Sequence, residues 1–147
     1  MKQVMAGLSL LFLVACQITG DVFPQRFAAN EASYSVTQSS DILIVYIGAR
    51  NCPPCFRYKA NDYPVWIKSE EYMHVQYREL NFPRFQRTDE DRYWPEDLRW
   101  VREKAYARRG APRWIISVDG RIVSNHRSWR SKTYPLIQRL VARKLDG

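Results

Sequence analysis

The chain has 147 residues, enough for one domain with a modest core and too few for two independent ones. With 46% hydrophobic residues, 6 Gly and 8 Pro it has an ordinary globular composition, which argues against a chain disordered throughout. The net charge of +8 admits nucleic acid, anionic lipid or an acidic protein as a partner.

Lys2 is followed by an apolar stretch from Val4 to Ala15, too short to span a bilayer comfortably and in the charge-then-apolar order of an export signal. The stretch ends in Leu13-Val14-Ala15-Cys16, which resembles the bacterial lipobox. The resemblance implies cleavage before Cys16 and a lipid on that cysteine, so that residues 1–15 are the signal peptide. An ordinary cleaved signal or an uncleaved anchor is the alternative. Gln17, where an inner-membrane retention signal would have Asp, leans toward the outer membrane. Residues 16–36 read as a tether, which leaves 37–147 for the folded domain. Arg and aromatic residues interleave at Arg84-Phe85, Arg92-Tyr93-Trp94 and Arg99-Trp100, as in some nucleic-acid binders. Export argues against that use, so no nucleic-acid partner is expected.

From residue 41 the pattern alternates between strand and helix. Ile42 to Ile47 is a continuous apolar run, read as a strand buried on both faces. Pro53 to about Tyr72 reads as a helix kinked or split at Pro64. His74 to Leu80 alternates as a second strand, completing a βαβ unit. Asn81 to Asp91 reads as a loop. A helix is then expected from about Pro95 to Arg109, with Leu98, Val101 and Ala105 inward and Gly110 as its C-cap.

Trp114 to Val118 and Arg121 to Ser124, joined by Asp119-Gly120, carry a strong signal for a tight hairpin. The last helix, about Tyr134 to Leu145, places Leu136, Ile137, Leu140, Val141 and Leu145 on one stripe. The order βαβ, helix, ββα predicts an α/β fold with a central mixed sheet flanked by helices.

Chemistry concentrates in Cys52-Pro53-Pro54-Cys55, just after the first strand. Two thiols so close at a strand-to-helix turn can form and break a disulfide without remodelling the fold. With Cys16 acylated, no odd thiol remains in a compartment where disulfides persist.

This dithiol, the kink at Pro64, Gly110-Ala111-Pro112 and the hairpin, in that order, resemble the thioredoxin-like superfamily over about residues 37–145. The resemblance implies a thioredoxin-like fold with a cis peptide before Pro112, whose loop of Ala111, Pro112 and Arg113 lies against the dithiol and meets clients. The 81–109 region is then an extra segment, which shapes client selection or caps the sheet. Cys52, at the helix N-cap, is expected as the exposed nucleophile, and Cys55, one turn in, as the buried resolving thiol.

Pro53 and Pro54 remove two N–H donors from the thiolate. Arg50, Arg57, Arg109 and Arg113 form a candidate basic rim that replaces them and attracts acidic clients, the alternative being a solvated basic surface. Asn51 stands where many thioredoxins have Trp, and Tyr46 where they have a buried Asp.

His74 and His126 with the two cysteines would make a zinc- or copper-type set, but both fall in expected strands remote from the dithiol. No metal site and no cofactor is expected. The expected function is thiol-disulfide exchange on envelope proteins in the periplasm. Its partners are client thiols or disulfides, a redox partner and, through Cys16, the membrane surface. A non-catalytic binding module, or a metallochaperone using the same dithiol, is the alternative.

Overall fold

The computed structural model describes residues 35–106 and 110–147. The expected signal peptide 1–15, Cys16, nearly all of the tether 16–36, and Arg108 and Arg109 lie outside the described residues. Among the described residues, no helix is long and apolar enough to cross a membrane.

Four strands form one sheet in the order β2-β1-β3-β4, where β1 is Ile42–Ala49, β2 Gln76–Phe82, β3 Arg113–Val118 and β4 Arg121–His126. The β1–β2 pair is parallel and the other two pairs are antiparallel. A helical segment connects β1 to β2, and helix α5, Tyr134–Asp146, follows β4. This mixed sheet with flanking helices is the thioredoxin-like α/β fold.

The segment after β1 starts as α1, Pro53–Arg57, and widens into a π turn at Tyr58–Asp62 before α2, Tyr63–Trp66. The wide turn ends where Pro64 would otherwise drive its ring into the carbonyl one turn back. The Tyr63 N–H accordingly bonds the Tyr58 carbonyl, five residues earlier. The expected split is therefore present, and a second break at Lys68 and Ser69 separates α3, Glu70–Met73. His74 caps α3, its N–H bonding the Glu71 carbonyl, so it does not open the second strand as expected. Strand β2 instead runs on to Phe82, in register with the end of β1 at Ala49.

The helix expected over 95–109 is shorter. A 3-10 turn at Glu96–Leu98 leads into α4, Arg99–Ala105, and Tyr106 leaves helical geometry with φ −106° and ψ 65°. The cause is the Tyr106 hydroxyl, which is held inside by Thr88 and Gly110. Gly110 is consequently not the helix C-cap. The hairpin is as expected: Asp119 at φ 49° and Gly120 at φ 73° satisfy a turn that needs two left-handed residues. In α5, Leu136, Ile137, Leu140 and Val141 are buried, whereas Leu145, expected inward, lies exposed in the last turn.

Both faces of the sheet are covered. On one, Ile42, Ile44 and Tyr46 of β1 and Trp114, Ile116 and Val118 of β3 pack against α5. Trp114 lies at the centre of an aromatic cluster there, with ring centroids 5.3 Å from Tyr46, 4.8 Å from Tyr58 and 5.5 Å from Trp129. On the other, Val45, Ile47, Ala49, Leu80, Phe82 and Ile115 pack against Leu98 and Val101 and against the two cysteines. Trp114→Ala is expected to cost about 3–5 kcal/mol, read as a lower denaturant midpoint with the slope unchanged.

Candidate redox site

The site is built at the C-terminal end of β1, where the chain leaves the sheet and turns into α1. Cys52 is the N-cap, with extended backbone at φ −119° and ψ 95°, and its Sγ accepts the Cys55 N–H at 3.2 Å. The Cys52 carbonyl accepts from Cys55 at 2.9 Å and Phe56 at 3.2 Å. Pro53 and Pro54 occupy the first turn, where a missing N–H costs nothing in helix bonds, and both are exposed. Cys52 and Cys55 are joined by a disulfide with Cα atoms 5.2 Å apart.

The expectation that Cys52 is exposed and Cys55 buried is corrected. In this oxidised form they are 2% and 3% exposed, because both sulfurs sit in the apolar cluster with Ala49, Phe82 and Ala111. The asymmetry between them is one of hydrogen bonding at the helix start rather than of exposure.

The Ala111–Pro112 peptide is cis, and Gly110 before it takes φ 131°, a backbone region that side chains disfavour. Ala111 belongs to the same buried cluster as the dithiol. Arg113 turns elsewhere: its guanidinium donates to Asn125 Oδ1 at 2.8 Å and lies 5.3 Å from the centre of the Tyr106 ring. Of the expected basic rim, Arg50 and Arg57 are exposed, Arg113 is held against β4 and Tyr106, and Arg109 lies outside the described residues. Arg127, which sequence reasoning missed, stands at this loop and donates to the Ala111 carbonyl at 3.3 Å. Nothing local in the sequence marks Arg127. Strand pairing carries it there, just beyond His126 opposite Trp114.

The segment between β2 and β3 borders both sides of the dithiol. Asn51, beside Cys52, accepts the Phe85 N–H on Oδ1 at 2.8 Å, and the Arg50 N–H bonds the Phe82 carbonyl at 2.9 Å. Thr88 is fully buried and its hydroxyl donates to the Phe85 carbonyl at 2.9 Å. The same oxygen meets the Tyr106 hydroxyl at 2.6 Å and the Gly110 N–H at 3.1 Å. Trp94 Nε1 closes the group on the Thr88 carbonyl at 2.9 Å. One side chain thus links the start of the segment, its end and the residue before the cis-Pro pair.

Tyr46 lies in the aromatic core. Its hydroxyl is buried with no hydrogen-bond partner, and burial, then the charge of Glu79, then Tyr58, push its pKa well above the ordinary phenol value. His74 caps α3 and His126 ends β4; burial, then Lys132, hold His126 below the usual imidazole value. Among the described residues, no three His, Cys, Asp or Glu side chains come together as a metal-binding group.

No protein-family model matches the chain, and no curated protein sequence matches it. Among solved structures it is similar to the reduced form of the periplasmic thioredoxin SoxS of Paracoccus pantotrophus, at 15% identity and a TM-score of 0.47. That alignment covers 70% of this chain and 98% of the other. It is also similar to the short form of thioredoxin f from spinach chloroplast, at 12% identity and a TM-score of 0.43, over 82% of this chain and 87% of that one.

Thr88→Val keeps the shape but strips the hydroxyl from the Gly110 N–H and from Tyr106. A loss of about 1–3 kcal/mol is expected, checked by chemical unfolding, with Thr88→Ser recovering most of it.

Proposed function

We propose that this protein is a thiol-disulfide oxidoreductase of the cell envelope, with Cys52 as nucleophile and Cys55 as resolving thiol. The observation that carries the reading is the Cys52–Cys55 disulfide at a helix N-cap, packed in one cluster with Ala111 of the cis-Pro loop. A thiolate forming at Cys52 meets the positive end of α1 and the Cys55 N–H, both of which favour the charged sulfur.

Exchange then runs in two balanced steps. With the pair reduced, the Cys52 thiolate attacks a client disulfide, forming a Cys52–client bond and releasing one client thiolate. Cys55 then attacks Cys52 Sγ, restoring the Cys52–Cys55 bond and releasing the second client sulfur. Two electrons pass to the client; an oxidising role is the same path reversed.

The surroundings support a client of particular chemistry. Phe56, next to Cys55 in the chain, and Phe85, whose N–H bonds Asn51, are 57% and 40% exposed, and Pro53, Pro54, Arg50, Arg57 and Arg84 are exposed beside them in the chain. An extended segment carrying apolar and acidic residues fits such a rim. Export to the periplasm and anchoring through lipid at Cys16 rest on the N-terminal sequence Leu13-Val14-Ala15-Cys16 and its preceding apolar run. A second reading, a disulfide that stays closed as a structural clip, draws on the burial of both sulfurs.

Trapping separates the two. Cys55→Ser, expressed in an exporting bacterium, is expected to accumulate mixed disulfides through Cys52 that vanish with reductant and are absent from the double variant Cys52→Ser/Cys55→Ser. A folded, exported Cys55→Ser protein with no such adducts would defeat the enzyme reading.

A further inference from the structure

The register of the β3–β4 hairpin seats one arginine against the loop beside the dithiol. His126, the last residue of β4, lies opposite Trp114, so Arg127 follows alongside the start of β3 and the cis pair before it. Its guanidinium lies against Gly110: a Cβ there would stand 3.6 Å from Cζ, 3.6 Å from Nη2 and 3.7 Å from Nη1. Three nearly equal distances place the plane of the group face-on over the glycine, at ordinary van der Waals contact. One Nη2–H reaches the Ala111 carbonyl at 3.3 Å. Glycine and carbonyl together hold an otherwise exposed side chain in one orientation.

This oriented cation lacks a counter-charge. Arg78, Arg87, Arg92, Arg102 and Arg130 each pair with an Asp or Glu, whereas among the described residues no carboxylate meets Arg127. A guanidinium carries its N–H donors in a fork that matches a carboxylate, and here only one of them is engaged. Because the fork is already oriented, pairing costs it little side-chain freedom. Position decides which carboxylate it can meet. Ala111 belongs to the buried cluster that encloses both sulfurs with Ala49 and Phe82, so a chain whose cysteine bonds Cys52 passes over the loop seating Arg127 or over α1. Arg50 and Arg57 are exposed on the α1 side, where among the described residues no hydrogen bond orients either guanidinium. Arg127 alone of the three is held ready.

We propose that Arg127 selects clients by pairing with an Asp or Glu next to the reactive cysteine, on the stretch of client that crosses the cis-Pro loop. The proposal rests on the dithiol being a redox centre. The guanidinium keeps its seat on Gly110 while its solvent-facing N–H groups take the carboxylate oxygens, so the loop need not rearrange. An extended chain advances about 3.3 Å per residue. A group fixed beside Ala111 therefore reads only a carboxylate within a residue or two of the client cysteine, and an acidic residue farther along gains nothing from it. Gly110 serves this arrangement twice, since its φ of 131° disfavours a side chain and its missing Cβ leaves the face on which the guanidinium rests.

The test uses the full chain, reduced, with short peptides whose single cysteine carries a neutral 2-thiopyridyl disulfide, and follows thiopyridone release at low salt. The peptides have Glu or Gln beside the cysteine, or Glu four residues away, and each rate is divided by that of the same peptide with dithiothreitol. Wild type is expected to favour adjacent Glu over adjacent Gln about fivefold, the upper end for an exposed charge pair, and to treat distant Glu like Gln. Salt is expected to shrink the preference. In Arg127→Gln the ratio is expected to fall below about twofold, while Arg121→Gln, which removes the same charge at the far end of β4, keeps it. A merely structural role for Arg127 would slow both peptides alike and leave the ratio unchanged, which overturns the proposal. So does a wild type that does not distinguish adjacent Glu from adjacent Gln, an outcome that requires no variant to fold. A chain that cannot be reduced without unfolding, and so releases no thiopyridone from any peptide, would instead remove the redox reading on which the proposal stands.

Discussion

Burial of β1 on both faces is the constraint on which the rest of the molecule depends. Ile42, Ile44 and Tyr46 point into the aromatic cluster under α5, while Val45, Ile47 and Ala49 point into the cluster that holds the dithiol. A one-residue slip would exchange the two sets and drive the large Tyr46 ring among the side chains around the dithiol, so the packing of each face fixes the register. The C-terminal end of the strand is therefore a rigid place to start a site. The chain leaves it at Ala49, and Cys52 caps a helix three residues later. Placing the sulfurs there gives them the helix N-terminus and the loop of Ala111 from a single anchoring point.

The segment between β2 and β3 does more than cover the sheet. It supplies Trp94, Leu98 and Val101 to the second core and, through Phe85 and Thr88, hydrogen-bonds to residues on both sides of the dithiol. The connection from Asn51 to Phe85, Thr88 and Gly110 is continuous, and its middle member is a buried hydroxyl with its bonding capacity in use. Such a group is costly to disturb, because loss of one bond leaves buried partners unmet. The geometry of Cys52 against the cis-Pro loop is thus tied to the presence of this segment.

Features set by local chemistry were legible in the sequence. The run Ile42 to Ile47 announced a doubly buried strand because every side chain in it must be apolar. Asp119-Gly120 announced its turn because two left-handed residues are required. The misreadings arose where distant groups decide. Tyr106 leaves the helix because Thr88 and Gly110, neither of them its helical neighbour, hold its hydroxyl. Cys52 is as buried as Cys55 because Ala111, far along the chain, packs in the same cluster. Arg127 went unnoticed for the same reason, since strand register alone carries it into place. His74 was misplaced by its position at a boundary, where a helix cap and a strand start look alike in sequence.

A working redox couple and a permanent clip differ in the reduction potential of the Cys52–Cys55 pair. Equilibration of the full chain with glutathione buffers, read as the mass of the alkylated protein, gives its reduction potential directly. A reversible two-electron couple between about −270 and −120 mV is expected, the span from thioredoxins to strong oxidants. A potential below about −300 mV, the range of structural disulfides in secreted proteins, would contradict it.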